Sequence, residues 1–333
     1  MICILDSRAI RPNRYGPFIK LFALTSSLKV PADANQPQSI QKPKPILPPS
    51  NSRLGLIYML VACVLFSVMN AGAYAIGLLD TGLPPSMISF IRILANLLIL
   101  TIPALIGGRL SGLFGDARPS LWLRGLFGST ALMLSFAAIA RIGPGESAFL
   151  TASSGVFVML LGPLVLGQKN SLLVWLAIIG SFSGISLLFD LENSHNLFGQ
   201  AMALLAGLLS ALAYLMVARA GRSNTPQTVI FYFCLVGLVL HGFYFARFGY
   251  RLPGSPESWG LLLLVGLSGS GAQHYMTRAY QAAPAALVSS IGYLAPVLSL
   301  AWSVVLFEQI PGQTALLGAA LILVFGVMLP FLR

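Results

Sequence analysis

The chain is 333 residues long, 56% hydrophobic and 9% charged, with a formal net charge of +11. Soluble domains carry about 25% charged residues, so most of this surface cannot face water, and a cytosolic enzyme or a secreted disulfide scaffold is excluded. The positive excess lies mainly in the first 53 residues, without any nucleic-acid-reading motif, so no nucleic-acid partner is expected.

Residues 1–53 hold eight Lys/Arg against Asp6 and Asp33, together with eight of the 21 prolines. Such a segment buries too little apolar surface to offset its ordering entropy and reads as a disordered cytoplasmic tail. Its Arg-rich, acid-poor beginning also fits an organelle transit peptide.

Ten apolar spans follow, near Leu54–Leu79, Ser86–Ile106, Ser120–Ile142, Ser147–Gln168, Ser171–Phe189, Leu197–Ala218, Pro226–Ala246, Glu257–Gln281, Pro284–Phe307 and Ile310–Leu332. Several exceed the roughly 18 uncharged residues that mark a membrane-spanning helix. The connections are too short for a soluble domain. Counting Lys and Arg by side puts sixteen with the tail, Arg109, Arg118 and Arg124 among them, against Arg141, Arg247 and Arg251 opposite. Both termini are therefore expected in the cytoplasm, in the plasma or inner membrane.

An internal repeat shows at an offset of 141. Pro85, Phe90, Leu94 and Leu97 match Pro226, Phe231, Leu235 and Leu238, and Gly125, Gly128, Ser129 and Ala138 match Gly266, Gly269, Ser270 and Ala279. The two repeats, residues 54–190 and 191–333, then hold five spans each, an odd number, so they cross the membrane in opposite directions. The expected fold is an all-α polytopic membrane protein of ten helices in two inverted repeats, the plan of many secondary transporters. Its substrate site is expected near the midplane.

The segment Pro85-x-x-Ile88-x-Phe90-x-Arg92, the ending Leu306-Phe307-Glu308 and the five-plus-five arrangement resemble the drug/metabolite transporter superfamily, closest to its EamA-type members. Leu123-Arg124-Gly125-Leu126-Phe127-Gly128 with Leu134-Ser135-Phe136-Ala137-Ala138-Ile139 is similar to the branch that includes S-adenosylmethionine carriers. The resemblance implies a helical-bundle carrier for small polar metabolites such as amino acids or nucleoside-like compounds, more often moved outward. Members commonly end the fourth and ninth spans with Gly-Glu, whereas this chain has Gly167-Gln168 and Phe307-Glu308.

Polar residues within the spans are few, and none of those deep inside is Asp or Glu, so proton coupling would fall to histidine. His241, alone among apolar neighbours, reads as a packing histidine. Ser270, Gln273, His274 and Thr277 share one helix face, either as substrate contacts or as hydrogen bonds between helices. Ser67, Asn70 and Tyr74 form a similar stripe in the first span. Thr151 and Ser154 in the fourth, Ser210 and Tyr214 in the sixth, and Ser289, Ser290 and Tyr293 in the ninth complete a set that would enclose one cavity. The candidate substrate-binding residues are Asn70, Tyr74, Ser154, Tyr214, Ser270, Gln273, His274, Tyr293 and Trp302.

Arg92, some six residues into the second span, is placed near the outer interface, where its long stem lets the charge snorkel; attracting an anionic group is the other reading. Trp122, Trp175 and Trp259 read as interface anchors. Gly180-x-x-x-Gly184 permits close helix contact within the bundle. Cys3, Cys63 and Cys234 form no CxxC or Cys/His cluster and read as packing residues, so no disulfide, metal or cofactor is implied. A competing class is an intramembrane serine protease built on Gly266-Leu267-Ser268-Gly269 and His274. Six residues turn a helix by about 600 degrees, however, which sets Ser268 and His274 on opposite faces. The expected partners are a small-molecule substrate and the lipid bilayer, for a monomer or homodimer.

Overall fold

The computed structural model describes residues 52–166, 172–188, 194–283 and 285–328. The expected tail up to residue 51 and the Gly167-Gln168 pair lie outside them. Every regular element among the described residues is helical. In chain order they are α1 (Ser52–Leu79), α2 (Pro85–Ile106), a short 3₁₀ turn (Leu110–Leu113), α3 (Pro119–Ile142), α4 (Pro144–Ala152) and α5 (Ser154–Leu166). Then come α6 (Leu172–Leu188), α7 (Ser194–Ala220), α8 (Pro226–Phe248), α9 (Pro256–Ala282), α10 (Ala285–Gly292), α11 (Leu294–Phe307) and α12 (Gln313–Met328). Five of them start on proline at the first turn, at Pro85, Pro119, Pro144, Pro226 and Pro256, where its missing N–H costs nothing.

Seven spans are long and apolar enough to cross a membrane: residues 53–79, 85–106, 119–142, 144–165, 197–220, 226–248 and 287–307. The exceptions have physical causes. Helix α9 is 27 residues long but too polar, because Gln273, His274, Thr277, Arg278 and Gln281 crowd its second half. Helices α6 and α12, at 17 and 16 residues, are apolar but short. Large apolar side chains such as Ile57, Val64, Ile99, Ile102, Leu263 and Val305 are exposed on the outside of the bundle, as a lipid-facing surface requires.

Two spans depart from the expected continuous helices. The fourth begins at Pro144 rather than Ser147 and breaks at Ser153, and the ninth breaks at Tyr293. Pro296 explains the second break, since it has no N–H for the carbonyl of Gly292. The Cys63 thiol stands in, 3.5 and 3.8 Å from the carbonyls of Ile291 and Gly292. Helix α11 ends on Glu308, which takes the left-handed conformation (φ 54°) that glycine more often supplies.

Helix pairings occur in twos. α1 packs on α9 and α3 on α7; α3 packs on α8 and α2 on α9; α1 packs on α11 and α5 on α7. Helix α6 pairs with α12, where a Cβ on Gly184 would stand 2.8 Å from the Gly318 carbonyl, so the Gly180/Gly184 pair serves contact within the bundle. Close approach at the duplicated glycines sets the α3 and α9 contacts. A Cβ at Gly125 would fall 2.7 Å from both the Tyr232 carbonyl and the Val236 side chain, and one at Gly266 would fall 2.8 Å from Ala95. Val236 and Ala95 are themselves 141 residues apart.

Loops are tied in two groups. Asp80 accepts from the Gly254 N–H at 3.1 Å and pairs with Arg251 at 3.6 Å, joining the α1–α2 and α8–α9 loops. Asp116 joins the α2–α3 and α7–α8 loops, accepting from Ser223 at 2.7 Å and Asn224 at 2.9 Å and pairing with Arg118 at 2.9 Å. Partial burial pushes the Asp116 carboxyl up, but these hydrogen bonds and the Arg118 charge outweigh it and hold the group below its ordinary value.

Gly125→Val is expected to destabilise the protein by about 2 kcal/mol or more, because the Tyr232 carbonyl and the short, branched Val236 side chain leave no room for the added carbons. Gly260→Ala, whose Cβ meets nothing within 4 Å, serves as the control. Thermal melts of the purified protein in detergent compare the two; an unchanged melt for Gly125→Val contradicts the close approach.

Candidate functional site

One cavity of about 170 Å³ lies inside the bundle, lined by residues from α1 to α5 and α7 to α11, with Tyr293 at the break of the ninth span. The two helix breaks meet there. A Cβ on Gly155, at the start of α5, would stand 2.7 Å from the Tyr293 hydroxyl, which precedes α11. Irregular backbone at membrane depth is tolerated only where protein or a polar cavity covers it, and both breaks obey that rule. Tyr214 of α7 and Tyr280 of α9 stack at 5.0 Å with planes 19° apart, and the Tyr280 hydroxyl lies 3.0 Å from that of Ser289.

Five of the nine residues picked from the sequence line this cavity: Asn70, Ser154, Tyr214, Gln273 and Tyr293. The other four lie elsewhere. The Tyr74 hydroxyl receives the Gln309 amide at 2.5 Å, and its ring stands edge-on to Phe307. The Trp302 indole donates to Ser67 at 3.2 Å. Asn70 donates to Ser299 at 3.3 Å, so each polar residue of the α1 stripe bonds a residue of α11 or of the loop after it. Ser270 is buried with its hydroxyl unpartnered, yet does not border the cavity. His274 is half-buried beside Tyr275, outside the lining.

The neighbouring stripe residues divide likewise. Gln273 bonds Thr277 at 3.4 Å, and Thr277 bonds the Gln273 carbonyl at 2.8 Å, so part of the α9 stripe satisfies itself along its own helix. His241 is fully buried and packs as expected. Its Nδ1 lies 2.7 Å from the Gly237 carbonyl and must donate, and its Nε2 lies 2.7 Å from the Ser89 hydroxyl.

Arg92 and Arg124 correct the sequence reading. Arg92 does not snorkel, and Arg124, counted above with the charges on the tail's side, is buried as well; both are 2% exposed and both line the cavity. Their guanidinium carbons lie 5.7 and 4.8 Å from the centroid of one ring, Phe233. Depth from the span end placed Arg92 at the interface, whereas helix packing turns both arginines inward. The available signal was the pairing of each with a glycine of the duplicated motif. A Cβ on Gly269 would stand 2.6 Å from the Arg92 Nε, and one on Gly128 would collide with the Arg124 guanidinium.

Nothing joins Ser268 to His274 among the described residues. The Ser268 hydroxyl is buried and donates to its own helix, 2.6 Å from the Leu264 carbonyl. Among the described residues no three His, Cys, Asp or Glu gather as a metal site.

A multi-pass bundle of apolar helices wrapped around an internal cavity lined by both polar and apolar side chains is the form of a membrane transporter. The chain belongs to the EamA-like transporter family, which it matches over residues 53–190 and again over 197–331. It is 27% identical over 278 residues to the pseudopaline exporter CntI of Pseudomonas aeruginosa, covering 83% of this chain and 95% of that protein. It is 26% identical to mouse solute carrier family 35 member G1, covering 81% of this chain and 76% of the other. A riboflavin transporter of Rhizobium johnstonii is 26% identical over 56% of this chain and 62% of its own length. A solved crystal structure 18% identical in sequence superposes with a TM-score of 0.62, covering 83% of this chain and 96% of that one, which shows the fold alone.

Gln273→Ala is expected to lower transport by about tenfold, equivalent to roughly 1.4 kcal/mol, while His274→Ala leaves it nearly unchanged. Initial flux rates at matched protein levels compare them. Equal rates for Gln273→Ala and the parent would place substrate contact elsewhere.

Proposed function

We propose that the protein is a secondary transporter that exports a small polar metabolite, of amino-acid or nucleoside-like character, by alternating access. Ten crossings in two inverted five-helix halves would provide the machinery. The observation that carries this reading is the cavity itself, which receives residues from both matched segments, 53–190 and 197–331, and holds the two helix breaks. Its support from packing is specific. Exchanging the halves by the 141-residue offset turns the α1–α9 pairing into α7–α3, and α1–α11 into α7–α5. Two such halves give inward-open and outward-open forms of similar energy.

Ten crossings with cytoplasmic termini also put the Asp80 loop and the α8–α9 loop on the outer side, and the Asp116 and α7–α8 loops inside. Each tied pair then shares one face, which the hydrogen bonds require. Outward movement draws on the similarity to the pseudopaline exporter.

Proteoliposomes containing the purified protein, loaded with a mixed metabolite extract, are expected to release at least one compound saturably and faster than protein-free vesicles. Mass spectrometry of the external medium reads the result, and no difference across the extract would overturn transport. Cysteines introduced at Ser111 and Leu252 are expected to react with a membrane-impermeant maleimide from opposite sides of the membrane. Labelling of both from one side would remove the inverted arrangement.

A further inference from the structure

Two positive charges are buried at this cavity, and among the described residues neither an ion pair nor a lining Asp or Glu accompanies them. Among the described residues Arg92 reaches the Gly269 carbonyl and the Gln273 side-chain oxygen, both at 3.5 Å, the outer limit of a hydrogen bond. The Nε of Arg92 and the Nε of Arg124 have no hydrogen-bond partner among the described residues. The ion pairs among the described residues join Arg118 to Asp116 and Arg251 to Asp80, both in loops. The Gln200 amide donates to the Glu146 carboxylate, at the start of α4, at 2.7 Å.

A guanidinium stays protonated in proteins, so the cavity holds two like charges. Each has lost most of its water, and each repels the other across the shared Phe233 ring. Breaking one half of a buried ion pair leaves this kind of uncompensated charge, and it destabilises a protein strongly. Packing needs do not explain the choice, because Gly128 and Gly269, one in each half, leave the room that the guanidinium groups occupy. Both side chains line the cavity, and the planar fork of a guanidinium fits a carboxylate or a phosphate group.

We propose that Arg92 and Arg124 form an anion subsite, and that the transported metabolite carries a carboxylate or phosphate group held between them. The stacked Tyr214 and Tyr280 rings, which line the same cavity, offer a flat wall for the remainder of that molecule. This inference rests on the transport reading and narrows its substrate class to organic anions.

The test uses the full-length protein in detergent, with Arg92→Met, Arg124→Met, Arg92→Lys and Arg124→Lys beside the parent. Intrinsic tryptophan fluorescence follows melting in sodium succinate, sodium glutamate or sodium phosphate, with sodium chloride at matched ionic strength and the carboxylate-free diamide succinamide as controls. At least one of the three anions is expected to raise the parent's melting midpoint by several degrees, while the controls do not. The Met variants should melt no lower than the parent without anion and lose the shift, and the Lys variants should keep part of it. A shift with succinate or glutamate assigns a carboxylate; a shift with phosphate alone assigns a phosphate group. If none of the anions moves the parent, or if the Met variants retain the shift, the subsite is wrong. The vesicle release assay separates this failure from that of transport. Saturable release of neutral or cationic compounds that the Met variants perform equally well removes the anion subsite and keeps the transporter. Anion stabilisation without any release keeps the subsite and removes transport.

Discussion

Hydrocarbon offers no hydrogen bonds, and that single constraint orders this molecule. Each polar group at membrane depth costs several kcal/mol unless protein or trapped water meets it. The chain has 9% charged residues, and within the described spans its arginines at depth, Arg92 and Arg124, turn inward on Phe233. The helix breaks at Ser153 and Tyr293 obey the same rule, since broken backbone facing lipid would expose unpaired carbonyls. Placing charges and breaks together concentrates the cost in one interior space. A cation–π contact returns about 0.5–2 kcal/mol, less than the several kcal/mol that burying an ion takes, so the Phe233 ring alone does not offset the burial of the two charges.

Small residues set how closely the helices can approach. In a bilayer no hydrophobic force gathers helices, so association depends on van der Waals contact and on backbones coming near one another. Gly125 against Tyr232 and Val236, and Gly266 against Ala95, provide that contact at equivalent places in the two halves. Three residues further on, Gly128 and Gly269 do different work, opening space for guanidinium groups. One five-residue motif thus brings helices together at its first glycine and houses a charge at its second.

The membrane class and the spacing of the spans were legible in the sequence because apolar runs report lipid exposure directly. Pro, Phe and Gly recur at one offset because these residue types answer to backbone geometry, and the family match likewise falls on two segments, 53–190 and 197–331. The cavity was half legible. Asn70, Tyr214 and Tyr293 stand out as polar groups in apolar helices, but polarity cannot say whether a side chain meets a cavity or a neighbouring helix. Tyr74 and Trp302 show the difference, since both find protein partners in Gln309 and Ser67. Arg124 was hidden for another reason. Near a span end, sequence position fits snorkelling and burial equally, and only the rotation of α3 about its axis separates them. That rotation is set by Gly125, which must face α8.

Scaffold and site differ in their symmetry. The pairings of α1 with α9 and α3 with α7 correspond under exchange of the halves, and so do the glycines at their contacts. The cavity side chains do not correspond. Position 92 is arginine where its equivalent, 233, is phenylalanine, and Arg124 stands opposite Val265. Both cations therefore come from the first half, while Phe233, Gln273 and Tyr280 come from the second. A symmetric lining would present the same groups to both ends of a ligand and suit a symmetric one. An asymmetric lining on a symmetric frame gives a polar molecule one orientation while the frame keeps its two states close in energy, and alternating access on the proposed reading needs both properties at once.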